Sequence, residues 1–329
     1  VALAINGSFW IGAALGAGAT LVLLDPDIFP VDVGWRLGFG TGAVLGLLVL
    51  AARRYVPESP RWLCIHGYGE RAGAVMEDIE ARITRRTGVA LDAPGDSWVI
   101  HPRRSTGFGL IVKTMFSTYR KRSFLGFVLI AAQAFLYNAI FFTYALVLTR
   151  FYDVPAQNTG IYLLPFALSN FLGPLLLGHF FDSLGRRVMI SATYAISALL
   201  LLATGALFVQ GYLSAYGQTA LWSVIFFFAS AAASSGYLTV SEIFPLELRA
   251  LAIAVFFSLG TAAGGIAAPW LFGLLIGTGS RASVFLGYAL GAALMLIAAV
   301  VAAVLAVKAE RTSLERVARP LTAEGPQRG

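Results

Sequence analysis

The sequence is short of charged residues. Only 12% of its 329 residues are Asp, Glu, Lys or Arg, whereas 58% are hydrophobic. An ordinary soluble domain is about 25% charged and about 45–50% apolar, so the 24 basic and 17 acidic side chains are too few to cover a soluble surface. The composition excludes a disordered chain, a coiled coil and almost every soluble globular domain. It predicts an all-α polytopic membrane protein.

Cysteine and histidine are also scarce. Cys64 is the single cysteine, which excludes a disulfide framework and a multi-thiolate metal site. The three histidines, His66, His101 and His179, do not pair at the spacing of metal ligands. We therefore expect no metal and no cofactor.

The signatures of enzymes, channels and nucleic-acid-binding proteins are missing as well. The chain has no nucleophile elbow, no H-E-x-x-H, no paired intramembrane aspartates and no P-loop, so we expect no catalytic residues. It has neither a repeated filter nor a ring of charges, which a channel needs. The net charge of +7 comes from basic residues between apolar runs, and this placement argues against nucleic acid as a partner.

Long apolar runs are what the sequence does contain. A spanning helix needs about 20 mostly apolar residues. Eight windows meet this requirement, at about 3–24, 34–52, 123–150, 157–179, 188–210, 219–241, 250–277 and 283–307. The chain therefore predicts eight membrane-spanning helices embedded in a lipid bilayer.

The basic residues predict the orientation of these spans. Of the 24 Lys and Arg residues, 21 fall in segments 53–122, 180–187 and 242–249 or in the tail from Lys308. Only three arginines fall on the other side. Cytoplasmic loops carry the excess of Lys and Arg, so we expect both termini of this chain to be cytoplasmic. Segment 53–122 carries apolar residues at helical spacing around Gly69–Arg86, which favours amphipathic helices under the membrane, with a solvated linker as the alternative.

An internal repeat suggests how the spans are grouped. Residues Ala2–Gly16 match residues Ala250–Gly264 at eight of fifteen positions with a constant offset. If spans 1 and 2 correspond to spans 7 and 8, spans 3–8 form one complete six-helix half. We then expect the last eight of twelve helices, hence a chain truncated at its N-terminus. A complete eight-span protein is the alternative.

This grouping divides the chain into four regions. Residues 1–52 would be the last two helices of an N-terminal bundle, and residues 53–122 a cytoplasmic loop between bundles. Residues 123–307 would be a C-terminal six-helix bundle, followed by a cytoplasmic tail at 308–329.

Three loop motifs place acids and arginines at helix ends on the same side of the membrane. Gly178–Arg187 reads G-H-F-F-D-S-L-G-R-R, Glu242–Arg249 reads E-I-F-P-L-E-L-R, and Pro57–Leu63 reads P-E-S-P-R-W-L. Such groups can form interhelical ion pairs when the cytoplasmic helix ends close together. Static anchoring to lipid headgroups is the alternative for any one motif.

These three ordered motifs resemble the major facilitator superfamily, nearest its sugar-porter and metabolite-symporter branches. The resemblance runs from Val1 to about Glu315. It implies a twelve-helix secondary active transporter with alternating access, monomeric in its full-length form, in the plasma membrane. It also implies an inner gate that stabilises the outward-open state, formed by Gly178, Asp182, Gly185, Arg186, Arg187, Glu242 and Arg249, with Glu58 and Arg61 joining from the loop between halves.

Polar side chains at mid-depth of the spans are candidates for the substrate site, because such groups are costly in a bilayer. In an α-helix Tyr137 lies about 40° and Tyr144 about 20° from Gln133, so these three share a face, whereas Asn138 lies about 140° away and needs a kink to join them. Asn170 in span 4 and Tyr237 in span 6 are further candidates. Helix-to-helix hydrogen bonding is the alternative for each.

The resemblance extends to the third span. Gln133–Phe141 resembles the sugar-porter element Q-Q-x-x-G-x-N-A-x-F, with Gln133 and Asn138 matching its second Gln and its Asn. Tyr237 stands where the family has a sugar-stacking Trp, and the Asn-Trp of the eleventh helix is replaced by Gly260-Thr261. These departures leave a sugar and an organic acid as equal alternatives for the small-molecule substrate.

Energy coupling is a separate question. The resemblance implies proton symport. All charged residues fall in loops or at helix ends, so no carboxylate remains at mid-membrane in this chain to carry a proton, and we expect such a group in the missing helices. A non-transporting remnant is the remaining alternative, since four missing helices would remove most of one cavity wall.

Overall fold

A computed structural model describes residues 2–89, 99–102, 107–141, 143–155, 158–307 and 312–322. Its helices in chain order are α1 (Ala2–Gly7), α2 (Phe9–Leu23), α3 (Val31–Ala52), α4 (Pro60–Ile65), α5 (Gly69–Thr87), α6 (Phe108–Ser117), α7 (Arg120–Leu136), α8 (Tyr144–Tyr152), α9 (Thr159–Ser183), α10 (Arg186–Val209), α11 (Ala215–Ile243), α12 (Leu246–Gly277), α13 (Arg281–Leu305) and α14 (Leu314–Val317). A 3-10 turn at Arg53–Tyr55 follows α3, and a π-helix at Tyr137–Phe141 follows α7.

Eight helices in the described part of the chain are long and apolar enough to cross a membrane. They coincide with the eight predicted windows, and their ends differ from the predictions by a few residues. The all-α polytopic fold is therefore confirmed. Two spans depart from a simple helix: the first is broken at Ser8 between α1 and α2, and the third contains the π-helix between α7 and α8.

The six spans from α7 to α13 form one packed bundle. Within it α10 packs between α11 and α13, α9 packs on α11, and α12 packs on α7. Its centre is aromatic, with Tyr144, Phe166, Phe208, Trp222 and Tyr288 completely buried. Large rings bury the most apolar surface per side chain, so this centre fixes the relative positions of the helices.

The two N-terminal spans attach to one side of this bundle. Helices α1 and α2 pack along α9, and α1 also touches α11. Helix α3 turns back onto α2 at Gly34, where a Cβ atom would lie only 1.6 Å from the carbonyl oxygen of Leu23. Most of α3 is exposed, including Phe39, Leu47 and Val49, as expected for a helix surface that meets lipid.

Short helices lie at the end of the bundle that carries the loop motifs. Helix α5 coincides with the segment whose spacing predicts an amphipathic helix, and it ends at Gly88 in the left-handed region at φ +68°. Helix α6 buries Ile111 and Met115 and leads into α7. The tail returns to this end, where both the backbone N–H and the hydroxyl of Thr322 donate to Glu247.

Candidate functional site

A polar cluster lies where α1, α7, α9 and α11 meet, and its first contact joins α9 to the π-helix. The Tyr137 hydroxyl donates to Asn170 Oδ1 at 2.7 Å. The Asn170 side-chain nitrogen Nδ2 donates to the Phe166 main-chain carbonyl at 2.8 Å. The main-chain carbonyl of Asn170 accepts from Ser230 Oγ at 2.6 Å. Asn170 is completely buried, so its polar groups need protein partners. Phe166 of the same helix supplies one, and Tyr137 and Ser230 supply the others.

Two more interhelical hydrogen bonds extend the cluster. Gln133 Nε2 donates to the Tyr237 hydroxyl at 3.3 Å, and Asn6 Nδ2 donates to Ser234 Oγ at 2.8 Å. Ser230, Ser234 and Tyr237 lie on one face of α11, at the i, i+4 and i+7 spacing of a helix. We refer below to Asn6, Gln133, Tyr137, Asn170, Ser234 and Tyr237 as the polar cluster.

Close helix packing brings the cluster together. A Cβ atom at Gly173 would lie 2.0 Å from the Phe227 carbonyl oxygen, so only glycine lets α9 approach α11 this closely. Asn170 stands one turn before Gly173 on α9, and this approach places it against Ser230. The sequence therefore needs a small residue here to build the site.

The π-helix sets the directions of the side chains that follow it. The expected common face of Gln133, Tyr137 and Tyr144 assumes an unbroken α-helix, and the wider turn at Tyr137–Phe141 removes that assumption. Asn138 donates to the Ala134 carbonyl at 2.7 Å, and its Oδ1 lies 3.6 Å from the point that a Cβ of Gly265 would occupy. The side-chain oxygen of Asn138 is thus turned towards α12.

Tyr144 has partners of its own. It is completely buried, its hydroxyl bonds Thr219, and its ring packs on Trp222 at 4.7 Å between centroids. The structure therefore brings Gln133, Tyr137, Asn170 and Tyr237 into one cluster, and places Tyr144 in the aromatic centre of the bundle.

An aromatic wall that the sequence did not indicate closes one side of the cluster. Trp10 stacks on Tyr137 with centroids 5.4 Å apart and an interplanar angle of 28°, and meets Phe141 edge-on at 5.1 Å. Sequence reasoning missed both Trp10 and Asn6. The available signal was that Asn6 is an amide within an apolar run, since such groups usually seek a partner in a bilayer.

The loop end of the bundle carries an ion pair. Arg186 Nη1 pairs with Glu242 Oε2, and both side chains are only 12% exposed. Arg186 Nη2 also lies 3.3 Å from Asp182 Oδ1. Arg186 begins α10 immediately after Gly185, whose φ of +97° lies in the region that favours glycine. The ion pair thus connects the start of α10 to the end of α11.

The remaining predicted gate residues lie around this pair with separate contacts. Arg249 Nη2 reaches the Phe244 carbonyl at 3.5 Å, and Arg61 Nε pairs with Glu315 Oε1 of the tail at 2.6 Å. Glu58 and Arg187 are exposed. Gly178 faces Leu3 of α1, which would lie 3.6 Å from an added Cβ. The structure thus unites Asp182, Arg186 and Glu242, and the partner of Arg61 is the tail.

Sequence reasoning also missed Arg122 at this end. Its Nη1 donates to the Ile243 carbonyl at 2.5 Å, next to Glu242. A cation at a helix C-terminus satisfies carbonyls that have no partner within the helix.

Among the described residues no group of three or more His, Cys, Asp or Glu side chains could hold a metal ion.

Comparisons with known proteins agree with this architecture. A model of the family "Sugar (and other) transporter" matches residues 3–319. The chain is 30% identical over 243 residues to Myo-inositol transporter 2 of Schizosaccharomyces pombe, covering 67% of this chain and 42% of that protein. It is 28% identical over 287 residues to the putative metabolite transport protein YaaU of Escherichia coli, covering 81% and 56%.

A solved structure shows the fold. The proton:xylose symporter XylE of the major facilitator superfamily, bound to 6-bromo-6-deoxy-D-glucose, superposes with a TM-score of 0.73 at 19% identity, over 96% of this chain and 66% of that one. The chain spans about half the length of the curated relatives it matches. The family model covers nearly the whole chain, so this integral membrane protein of the major facilitator fold belongs to the sugar (and other) transporter family.

Proposed function

We propose that this chain forms part of a secondary active transporter that moves a small polar metabolite, a sugar or an organic acid, by alternating access. The polar cluster is the observation that carries this proposal. It places amides, hydroxyls and phenols from four spanning helices in contact, without a charged side chain among its six members. A substrate hydroxyl can both donate and accept in place of these mutual hydrogen bonds, and a carboxylate oxygen can accept from their donors.

The cluster's geometry supports a set of substrate contacts. Gln133, Asn170 and Tyr237 would offer donors and acceptors, and the stacked rings of Trp10 and Tyr137 would form an aromatic wall for an apolar sugar face. Asn138, whose Oδ1 is turned towards α12, would extend the site to that helix. Tyr144, buried against Trp222, would support the site from behind.

We assign gating to charged contacts, in contrast to the uncharged contacts of the polar cluster. The Arg186–Glu242 pair, with Asp182, would hold the loop ends of α10 and α11 together and stabilise the outward-open state. Arg249, Arg61 and Glu58 would contribute to the electrostatic field at this end, and Gly185 would supply the turn. Opening of this end would require water to enter and solvate both charges.

The proposal also includes coupling to protons, a cytoplasmic location of both termini of this chain and a monomeric state. Relatives named as proton symporters, including the D-xylose-proton symporter of Escherichia coli at 27% identity, support coupling to protons. The excess of Lys and Arg in the loop segments supports a cytoplasmic location for both termini of this chain. A monomer in the cell membrane is consistent with these features.

Transport assays test the proposal directly. Cells expressing the complete reading frame that contains this chain are given labelled xylose, myo-inositol and a panel of organic acids, with and without a protonophore. We expect uptake of one class, abolished by the protonophore. Absence of uptake for every compound in cells with verified surface expression would contradict the proposal.

Site variants then separate binding from folding. Tyr137→Phe removes the hydroxyl that donates to Asn170 and that we expect to bond the substrate. Loss of the hydrogen bond to substrate should raise KM by on the order of tenfold. Tyr144→Phe removes the hydroxyl bonded to Thr219, and should lower thermal stability with a smaller change in KM. The reverse ranking would place the substrate beside Tyr144 instead.

A further inference from the structure

A cavity of about 670 Å³ lies at the loop end of the bundle, separate from the polar cluster. It is bounded by α4 and α5, by the start of α12, and by the tail with α14. Sites for small ligands commonly measure about 300–1,000 Å³. The cavity is therefore large enough for an organic ligand, and none of the six residues of the polar cluster lines it.

Positive charge predominates on the cavity wall. Its lining contains three arginines, Arg61, Arg249 and Arg316, and one carboxylate, Glu315. Glu315 pairs with Arg61. Repulsion from Arg61 opposes the positive charge of Arg249, whereas Glu315 and Glu247 favour it. A negatively charged group between these two side chains would relieve that repulsion.

Arg249 lacks a full set of partners. Its Nη2 makes one long contact of 3.5 Å with the Phe244 carbonyl, and its buried Nε has no hydrogen-bond partner among the described residues. A guanidinium presents five N–H donors in a planar fork that suits carboxylate and phosphate oxygens. Leaving such a donor buried and unsatisfied is unfavourable. An oxyanion that accepts a hydrogen bond from Arg249 would therefore bind favourably here.

The rest of the wall is apolar. Ile65, Met76, Ile100, Leu246 and Leu314 line the cavity beside the arginines. A small inorganic anion would leave this apolar surface in contact with water, whereas a ligand with an apolar body would cover it and gain free energy from its burial. A wall that contains both arginines and apolar side chains favours an amphiphilic ligand.

We propose that this cavity binds an amphiphilic anion, with a carboxylate or phosphate head on Arg61 and Arg249 and an apolar body against Ile65, Met76 and Leu314. Two sources share this chemistry: an anionic lipid of the adjacent leaflet, and a water-soluble amphiphile such as an alkyl phosphate. Either ligand would connect the loop helices α4 and α5 to α12 and to the tail. The site lies apart from the proposed substrate site and shares Arg61 and Arg249 with the proposed gate.

Cys64 provides the readout, because it lines the cavity and is the single cysteine in the sequence. The purified protein in dodecyl maltoside is labelled with a maleimide, and modification of Cys64 is followed by peptide mass spectrometry. Dodecyl phosphate at about ten times its Kd should slow labelling about tenfold by mass action. Dodecanol and inorganic phosphate, each with half of the required chemistry, should protect much less.

Variants assign the head-group contact. Arg249→Gln and Arg61→Gln should each weaken protection by dodecyl phosphate at least about tenfold, since each removes a charge-assisted hydrogen bond. Arg249→Lys should retain part of it. Arg82→Gln, an exposed arginine of α5 outside the cavity, is the matched control and should behave as the unmodified protein. Using two independent variants keeps the test valid if Arg249→Gln fails to fold.

The outcomes are decisive in both directions. Slower labelling in nanodiscs of phosphatidylglycerol than in nanodiscs of phosphatidylcholine would support the site and identify the bilayer as the source. Protection by dodecyl phosphate alone would support it with a soluble source. Unchanged labelling in every arm, equal protection by dodecanol, or equal protection by inorganic phosphate would each overturn the proposal.

Discussion

The two ends of the six-helix bundle fix their arginines in different ways. At the loop end Arg186 pairs with the carboxylates of Glu242 and Asp182. At the opposite end Arg281 donates to the carbonyls of Phe208 at 3.1 Å and Phe151 at 3.0 Å, next to the C-termini of α10 and α8. Arginine thus serves as an ion-pair partner at the loop end and as a helix C-terminal cap at the opposite end.

This difference has a physical consequence. An ion pair between two side chains can be replaced by hydration of both partners, so its stability depends on access of water. Arg281 instead donates to two main-chain carbonyls near helix C-termini. Its guanidinium also lies over the Phe208 ring at 4.9 Å. We therefore expect movement at the Arg186 end and rigidity at the Arg281 end.

The largest expected effect is from breaking the ion pair. Arg186→Ala leaves Glu242 largely buried without its partner, which costs about 3–5 kcal/mol in similar pairs. We expect transport to fall at least about tenfold and the melting temperature to fall with it. Arg186→Gln combined with Glu242→Gln should be more stable than either single variant, and unchanged transport in Arg186→Ala would remove the gate role.

The next effect concerns the opposite end. Arg281→Gln removes the charge that bonds two carbonyls, and hydrogen bonds to charged groups contribute about 1.5–3 kcal/mol each. We expect a lower melting temperature in thermal unfolding, with KM for the transported substrate preserved. Arg36→Gln is the matched control, since Arg36 is an exposed arginine at the same end. A rise in KM would show that this end also moves with substrate.

A third variant tests the region between the ends. Gly173→Ala would place a methyl group against the Phe227 carbonyl and force α9 away from α11, at about 1–3 kcal/mol for overpacking. The Tyr137–Asn170 contact should loosen, so KM should rise together with the loss of stability. Gly273→Ala, where the added carbon would meet no other part of the structure within 4 Å, should leave KM unchanged and should not lower stability.

The smallest effect is expected from a pair that resembles Asp182 and Arg186 of the proposed gate in spacing but has an exposed arginine. Asp78 and Arg82 on α5 have the same i, i+4 spacing, and the Arg82 side chain is 70% exposed whereas that of Arg186 is 12% exposed. The hydrogen bond from Arg82 holds the pKa of the Asp78 carboxyl below its ordinary value. Asp78→Asn should leave transport and melting temperature nearly unchanged, because solvent screens such pairs. A clear loss would give the loop helices a larger role.

Part of the site could be predicted from the sequence because polar residues are rare in apolar spans. Gln133, Tyr137, Asn170 and Tyr237 each stand out against a hydrophobic background, and the cost of burying them implies a partner. The identity of the partner could not be predicted. The Gln133–Tyr237 contact joins residues 104 positions apart, and one-dimensional periodicity cannot rank such pairs.

Tyr144 shows where helical periodicity fails. An angle of 100° per residue holds only while the hydrogen-bonding pattern is α, and the π-helix at Tyr137–Phe141 changes the angle before Tyr144 is reached. No local residue pattern in this span announces the change. Arg61 is a second example, because its motif suggests a gate partner and the tail supplies Glu315 instead.

The sequence by itself determined the fold class, the eight spans and the segregation of charge, because the bilayer requires long uninterrupted apolar helices and penalises every buried charge. The tertiary structure alone decided which polar groups meet: the attachment of Asn6 and Trp10 to the cluster, the pairing of Arg186 with Glu242, and the cavity beside Arg249. Contacts of this kind depend on close helix packing, as at Gly173, where an added Cβ would lie 2.0 Å from the Phe227 carbonyl oxygen. Packing between distant segments sets those approaches, and no local pattern encodes them.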